Sequence, residues 1–137
     1  MHKFASEIHY FLEMFRRGDV DDAFHGLLEM DRGILPELME AFRLEKDIPT
    51  RQFLIQIIWE YRDASAIPLL GEALYNDEPC IWQEALNGLV TMACPDSLRL
   101  LREARKRQFP TRRETEEFAC WLNEAIEQAE KCEERFE

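Results

Sequence analysis

The chain has 137 residues, of which 46% are hydrophobic and 33% charged; this predicts a folded protein and excludes a disordered one. With 17 lysines and arginines against 28 aspartates and glutamates, the net charge is −11. Such an excess of acid argues against a nucleic-acid partner, because neutralising phosphates requires a basic surface.

The first half of the chain reads as three helices. Residues 6–17 predict an N-terminal helix that Ser6 can cap and Gly18 can end. Its apolar residues recur three and four positions apart, at Ile8, Phe11, Leu12 and Phe15. Residues 19–45 predict two further helices, the first opening on acidic residues that suit the positive end of its dipole.

The second half predicts two helix pairs, 50–75 and 80–108, and a C-terminal cap helix over 111–135. Residues 53–59 are apolar almost all round, so this helix is expected to be covered on both sides, with Trp59 in the core. Segments 45–49 and 76–79 read as linkers. The last helix has one apolar and one acidic face, which fits a cap. We expect no strands.

One segment occurs three times, at residues 35–42, 67–74 and 98–105, with offsets of 32 and 31 positions. A period of this length is typical of stacked helical pairs, because one unit cannot bury its apolar face without its neighbours. The sequence therefore predicts an all-α fold. We expect a short right-handed α-solenoid of about three helical pairs, with a helix at each end, forming one domain over 1–137.

Residues 62–74, Arg62-Asp63-Ala64-Ser65-Ala66-Ile67-Pro68-Leu69-Leu70-Gly71-Glu72-Ala73-Leu74, resemble the central signature of HEAT-type repeats, in particular the short HEAT-like repeats of the phycobilin-lyase superfamily. In that signature a turn Asp leads into a helix reading roughly Ala-Leu/Ile-Pro-x-Leu-x-x-Ala-Leu. The resemblance is good over 50–94, recognisable over 19–49 and 95–107, and absent elsewhere. It implies a HEAT-like α-α superhelix. Proteins with such repeats act as interaction scaffolds, lyase-type chaperones, DNA-repair glycosylases or toxin-neutralising partners.

In HEAT-like stacks the second helix of each pair lines the concave surface. By this resemblance the partner-binding residues are Glu37, Glu40, Glu72, Tyr75, Asn76, Asp77 and Glu78. Glu40, Glu72 and Glu103 hold the same place in successive units, so their carboxylates would form a ladder suited to a basic partner. The alternative is that Glu is common at this position and pairs with nearby arginines.

Residues 99–113, here called the basic block, carry seven basic residues and one acidic residue. They are Arg99, Arg102, Arg105, Lys106, Arg107, Arg112 and Arg113. Two interpretations stay open from the sequence: the block pairs with the acidic helix that follows it, or it binds an anion or an acidic peptide.

No pattern indicates catalysis, a metal or a cofactor. His2, His9 and His25 lack the spacing of metal ligands, and no nucleophile motif or phosphate-binding loop occurs. The cysteines, Cys80, Cys94, Cys120 and Cys132, form no Cys-x-x-Cys pair and are expected to be reduced and mostly buried. Neither a membrane-spanning run nor a secretion signal is present, so we expect a cytoplasmic protein.

The predicted function is non-catalytic protein binding by a monomer whose partner is a basic protein, with neither nucleic acid nor membrane as partner. Its most concrete form is a small bacterial immunity protein that neutralises a basic nuclease-type toxin. Two alternatives remain: an adaptor or assembly subunit of a larger complex, with the basic block as a docking site, and a cofactor chaperone of the lyase type.

Overall fold

The structure, a computed structural model, describes residues 3–134, and in this range the chain is all-α with no strand. His2 and the last residue of the predicted helix 111–135 lie outside the described residues. The helices are α1 (Ala5–Arg16), α2 (Val20–Leu28), α3 (Leu35–Leu44), α4 (Ile48–Glu60), α5 (Ile67–Ala73), α6 (Pro79–Met92), α7 (Pro95–Glu103) and α8 (Arg112–Glu134). The all-α prediction is confirmed, whereas the right-handed solenoid of helical pairs stays a prediction.

Helices α4, α6 and α7 each begin at a proline or one residue before one. Proline suits the first helical turn, because the N–H that it lacks would have no partner there. At the start of α4 the Asp47 carboxylate also accepts hydrogen bonds from Thr50, at 3.2 Å from N and 2.6 Å from Oγ1. Interpreting the prolines at 49 and 79 as parts of linkers was therefore wrong.

Three helices are followed by a residue with left-handed backbone. After α1 this residue is Gly18, with φ 98°, where the sequence predicted the helix to end. After α4 it is Arg62, with φ 53°, and after α6 it is Ala93, with φ 38°. Glycine adopts this conformation without a steric penalty, whereas the Cβ of arginine or alanine makes it unfavourable.

Contacts divide the chain into two compact units, with the boundary in sequence between Tyr61 and Arg62. In the first unit, α1 packs on α2 and α3 packs on α4, which also contacts α1 and α2. In the second unit, α5, α6 and α7 contact one another, and α8 packs on α6 and α7. The single domain over 1–137 stays a prediction.

Helix α4 supplies much of the core of the first unit. Five of its apolar side chains, those of Phe53, Leu54, Ile55, Ile57 and Ile58, are at most 4% exposed. The expectation that this helix is covered nearly all round is confirmed for these residues. Trp59, however, is half-buried rather than part of the core, although its Nε1 is buried without a hydrogen-bond partner among residues 3–134.

Trp82 of α6 lies at the centre of the second unit. Its side chain is 2% exposed, as expected for a core residue. The ring makes edge-to-face contacts with Phe118 and Trp121 of α8, with centroids 5.0 and 6.2 Å apart. Trp121 keeps 43% of its surface exposed, so only one face of it contributes to the packing between α6 and α8.

Tyr61, at the end of α4, hydrogen-bonds to the last turn of α2. Its buried hydroxyl donates to the main-chain oxygen of Leu27 and lies 3.4 Å from that of Met30. The carbonyls of a last helical turn have no hydrogen-bond partner within the helix, so the Tyr61 hydroxyl supplies a donor to a carbonyl that would otherwise lack one. Burial, with a smaller contribution from Asp31, raises the pKa of Tyr61.

Tyr61→Phe should lower the free energy of unfolding by about 1 kcal/mol at neutral pH, the usual contribution of one hydrogen bond. Because the folded state favours the neutral hydroxyl, this contribution is complete at pH values below the pKa that Tyr61 has in the unfolded chain. It is lost as the pH rises through the folded pKa. Urea unfolding at neutral and alkaline pH measures both effects. Tyr10→Phe, at a side chain that is 58% exposed, is the control and should change nothing; equal losses in the two variants would contradict the assignment.

Candidate functional site

A groove of about 360 Å³, here called the α1–α3 groove, lies between α1 and α3 in the first unit. Its apolar lining includes Ile8, Leu12, Ala41 and Leu44, the last of which is 73% exposed. Its charged and polar lining is acidic overall and comprises Glu37, Glu40, Glu45, His9 and Arg16. An apolar groove bordered mainly by carboxylates is suited to an apolar side chain flanked by basic ones.

The three glutamates of this groove differ in what they contact. Both carboxylate oxygens of Glu37 accept the N–H of Phe4, at 2.9 and 3.1 Å, so Glu37 holds the start of α1. Glu45 lies 3.3 Å from Arg16, which also pairs with Glu13 at 2.7 Å. Hydrogen bonding to Glu13 is the main reason that the pKa of Arg16 is raised. Glu40 is exposed to solvent.

A second groove of about 460 Å³, the α5–α7 groove, lies between α5 and α7 in the second unit. Its apolar lining includes Ile67, Pro68, Gly71 and Leu100, and its polar lining is Glu72, Tyr75, Asp96 and Arg99. Gly71 permits the close approach of the two helices, because a Cβ there would lie only 3.0 Å from a methyl carbon of Leu100.

The polar lining of the α5–α7 groove combines acids with one exposed aromatic ring. Glu72 is exposed, and Tyr75 exposes 44% of its surface. The single cation, Arg99, lies 3.3 Å from Glu103 and 3.9 Å from Asp96. Two acids therefore offset its charge, and a positive charge entering the groove meets little repulsion.

The loop between α5 and α6 holds the other three predicted site residues. The Asn76 side-chain oxygen accepts the N–H of Glu78 at 2.9 Å, which shapes the turn before α6. Asp77 and Glu78 are exposed, and Asp77 lies 3.7 Å from the guanidinium of Arg107. This loop lines neither groove.

The predicted site residues thus fall into three groups. Glu37 and Glu40 line the α1–α3 groove, Glu72 and Tyr75 line the α5–α7 groove, and residues 76–78 form a loop. Glu103 pairs with Arg99 on its own helix. The carboxylate ladder through Glu40, Glu72 and Glu103 stays a prediction.

The basic block contains one residue whose position the sequence analysis did not anticipate. The side chain of Arg107 is only 7% exposed, and its guanidinium donates to the main-chain oxygen of Leu74, at the end of α5. It stacks over the rings of Phe109 and Phe118, at 3.9 and 5.2 Å from their centroids. Burial lowers the pKa of Arg107, although nearby Asp77 opposes the shift. The signal in the sequence that could have indicated this position is Phe109, an aromatic residue two positions from Arg107 on which a guanidinium can stack.

Most of the remaining block is exposed, and part of it is paired with acids. Arg102 lies 3.7 Å from Glu130 of α8, and Arg112 lies 2.8 Å from Glu116. For Arg105, Lys106 and Arg113 the structure shows no acidic partner within residues 3–134. The interpretation that the block pairs with acids of α8 therefore holds for Arg102 and Arg112, whereas binding of an anion or an acidic peptide stays a prediction.

The cysteines differ from expectation in their burial. Cys120 is exposed and the other three are half-buried, so the prediction of mostly buried thiols was wrong; all four are free. Within residues 3–134 no cluster of three or more histidines, cysteines and carboxylates could hold a metal ion. In the same range, no helix combines the length and the apolar character needed to span a membrane.

Comparison of the chain with protein-family models, with curated proteins and with solved structures finds no match.

Proposed function

We propose that this protein is a non-catalytic binding module for a basic protein. In its most concrete form it is a bacterial immunity protein that neutralises a cationic nuclease-type toxin. One observation supports the proposal most strongly: each of the two units carries an open groove with an apolar lining and an excess of acidic residues. The net charge of −11 points to the same class of partner.

The physical basis is electrostatic steering combined with local apolar burial. A strongly acidic surface attracts a basic protein over distances of about 10 Å at moderate salt and so raises the association rate. The apolar lining of each groove would then bury partner side chains, which stabilises the complex after encounter. Tyr75 is suited to be an anchor, because tyrosine buries much area while losing little conformational freedom.

Two other functions remain as alternatives. An adaptor subunit would use the exposed Arg105, Lys106 and Arg113 as a docking surface for an acidic partner. A cofactor chaperone of the lyase type would need a large enclosed pocket. The cavities lined by described residues range from about 240 to about 460 Å³, which is below or in the lower half of the usual range for ligand pockets. A cytoplasmic location and a monomeric state belong to the proposal as expectations.

The double variant Glu40→Lys/Glu72→Lys should bind the basic partner at least about tenfold more weakly, mainly through slower association. The partner is first captured from native host lysate and identified. Its association rate with the purified wild type and variant is then measured by surface plasmon resonance at several salt concentrations. For the wild type, the rate should fall as salt rises, because added ions screen the charges.

The matched control is Glu29→Lys/Glu117→Lys, which makes the same change in net charge at exposed residues that line neither groove. The control should reduce the association rate much less. The two single variants, at Glu40 and at Glu72, then assign the contact to one groove or to both. An association rate indifferent to salt, or an equal loss in the two double variants, would refute binding through the grooves.

A further inference from the structure

A third cavity, of about 240 Å³, lies in the second unit beside the segment that leads from α7 to α8. We call it the arginine pocket. Its polar lining includes Arg105, Arg107, Gln108 and Asn123, and none of the acidic residues that the structure describes lines it. Phe118 and Leu122, both about 1% exposed, supply an apolar wall.

The charge of Arg107 is only weakly balanced by the protein. Its side chain is 93% buried, and a buried charge is normally paired with an opposite one. Within residues 3–134 it donates to the neutral carbonyl of Leu74 and forms an ion pair with the carboxylate of Asp77, which is 3.7 Å away and fully exposed to water. Asp77 is hydrated and does not line the pocket, so the pocket keeps an excess of positive charge.

Arg105 adds a second positive charge to the pocket. It is exposed, and the structure shows no acidic partner for it in the described part of the chain. Two acids near the start of α8 have partners: Glu116 lies 2.8 Å from Arg112, and Glu114 accepts a hydrogen bond from Thr111 at 2.7 Å. An anionic ligand would therefore meet no carboxylate among the described residues that line the pocket.

We propose that the arginine pocket binds a small organic oxyanion, that is, a carboxylate or phosphate group attached to an apolar body. Arg105 contacts the oxyanion, because a guanidinium matches two oxygens of such a group with parallel N–H donors, and Arg107, which donates to Leu74, adds a buried positive charge beside it. The Gln108 and Asn123 amides supply further donors, and Phe118 and Leu122 contact the apolar body. The arginine pocket is separate from the two grooves, so the proposal that it binds an oxyanion does not depend on the proposed function.

The test is a titration followed by two-dimensional NMR of the backbone amides, in a low-salt buffer free of phosphate and carboxylates. The probes are benzoate, phenyl phosphate, inorganic phosphate and benzamide, the last being the neutral counterpart of benzoate. Benzoate and phenyl phosphate should bind saturably and shift amides near residues 105–108 and 118–123. Benzamide should not bind at the same concentrations, because it lacks the charge that the arginines recognise.

Arg105→Gln should weaken binding of the better organic probe about tenfold or more, through the loss of a charge-assisted contact. The matched control is Arg113→Gln, which removes the same charge from an exposed residue of the basic block that does not line the pocket. Both substitutions are at the surface and should leave folding intact. The proposal is overturned if no oxyanion binds saturably or if the two variants lose affinity equally. It is also overturned if inorganic phosphate binds as tightly as phenyl phosphate.

Discussion

Trp82→Ala should lower the free energy of unfolding by about 3–5 kcal/mol, the usual range for removing a large aromatic side chain from a core. The indole is 2% exposed and packs edge-to-face on Phe118 and Trp121, so its removal leaves a cavity between α6 and α8. A loss of this size is a large fraction of the stability of a typical domain. Urea unfolding followed by far-UV circular dichroism measures it.

Two control variants separate packing from other effects of the Trp82 substitution. Trp82→Phe keeps an aromatic ring and removes an indole N–H that has no partner among the described residues, so its loss should be much smaller. Trp121→Ala, at a side chain that is 43% exposed, should also be milder. A loss below about 1 kcal/mol for Trp82→Ala would show that this ring is not central to the second unit.

Arg107→Met should lower the free energy of unfolding by about 2–3 kcal/mol, although it replaces a buried charge with an apolar side chain of similar length. The replacement leaves the Leu74 carbonyl at the end of α5 without its donor. It also removes the stacking of a cation on Phe109 and Phe118. Asp77 does not add to the loss, because it is exposed and remains hydrated.

Arg107→Lys tests whether the positive charge alone accounts for the contribution of Arg107 to the free energy of unfolding. Lysine keeps the positive charge but lacks the planar group that stacks on a ring while donating to a carbonyl, so it should rescue only part of the loss. Added salt should change the effect little, because the interactions at issue are buried. If Arg107→Met is within about 0.5 kcal/mol of the wild type, apolar packing replaces the guanidinium fully and the interpretation is wrong.

The helices were largely predictable from the sequence because their apolar residues recur at helical spacing. The errors lie at helix starts, where a proline is compatible both with a linker and with a first helical turn. Pro49 and Pro79 were placed in linkers, yet each lies in the first turn of a helix. Proline is compatible with a turn and with a helix start alike, and capping decides between them. At α4 the deciding group is the Asp47 side chain, which accepts the N–H of Thr50 three residues later and so caps the helix.

The candidate site was less predictable, because it depends on contacts between residues far apart in the chain. Glu37 was chosen as a surface acid, but its carboxylate binds the N–H of Phe4, 33 positions earlier. Arg107 was counted among exposed cations, yet it donates to Leu74, also 33 positions earlier. A repeat pattern shows which positions are equivalent between units; it does not show which side chains are used for packing and which remain for a partner.

The left-handed residues Arg62 and Ala93 bear on how this sequence could change over generations. Each occupies a backbone conformation that glycine tolerates better, and each can become glycine through one nucleotide substitution. Selection for a more stable protein could therefore have favoured glycine at both positions, yet this sequence has arginine and alanine there. Natural proteins commonly lack substitutions that would stabilise them, because selection only keeps a protein above the stability that its function requires.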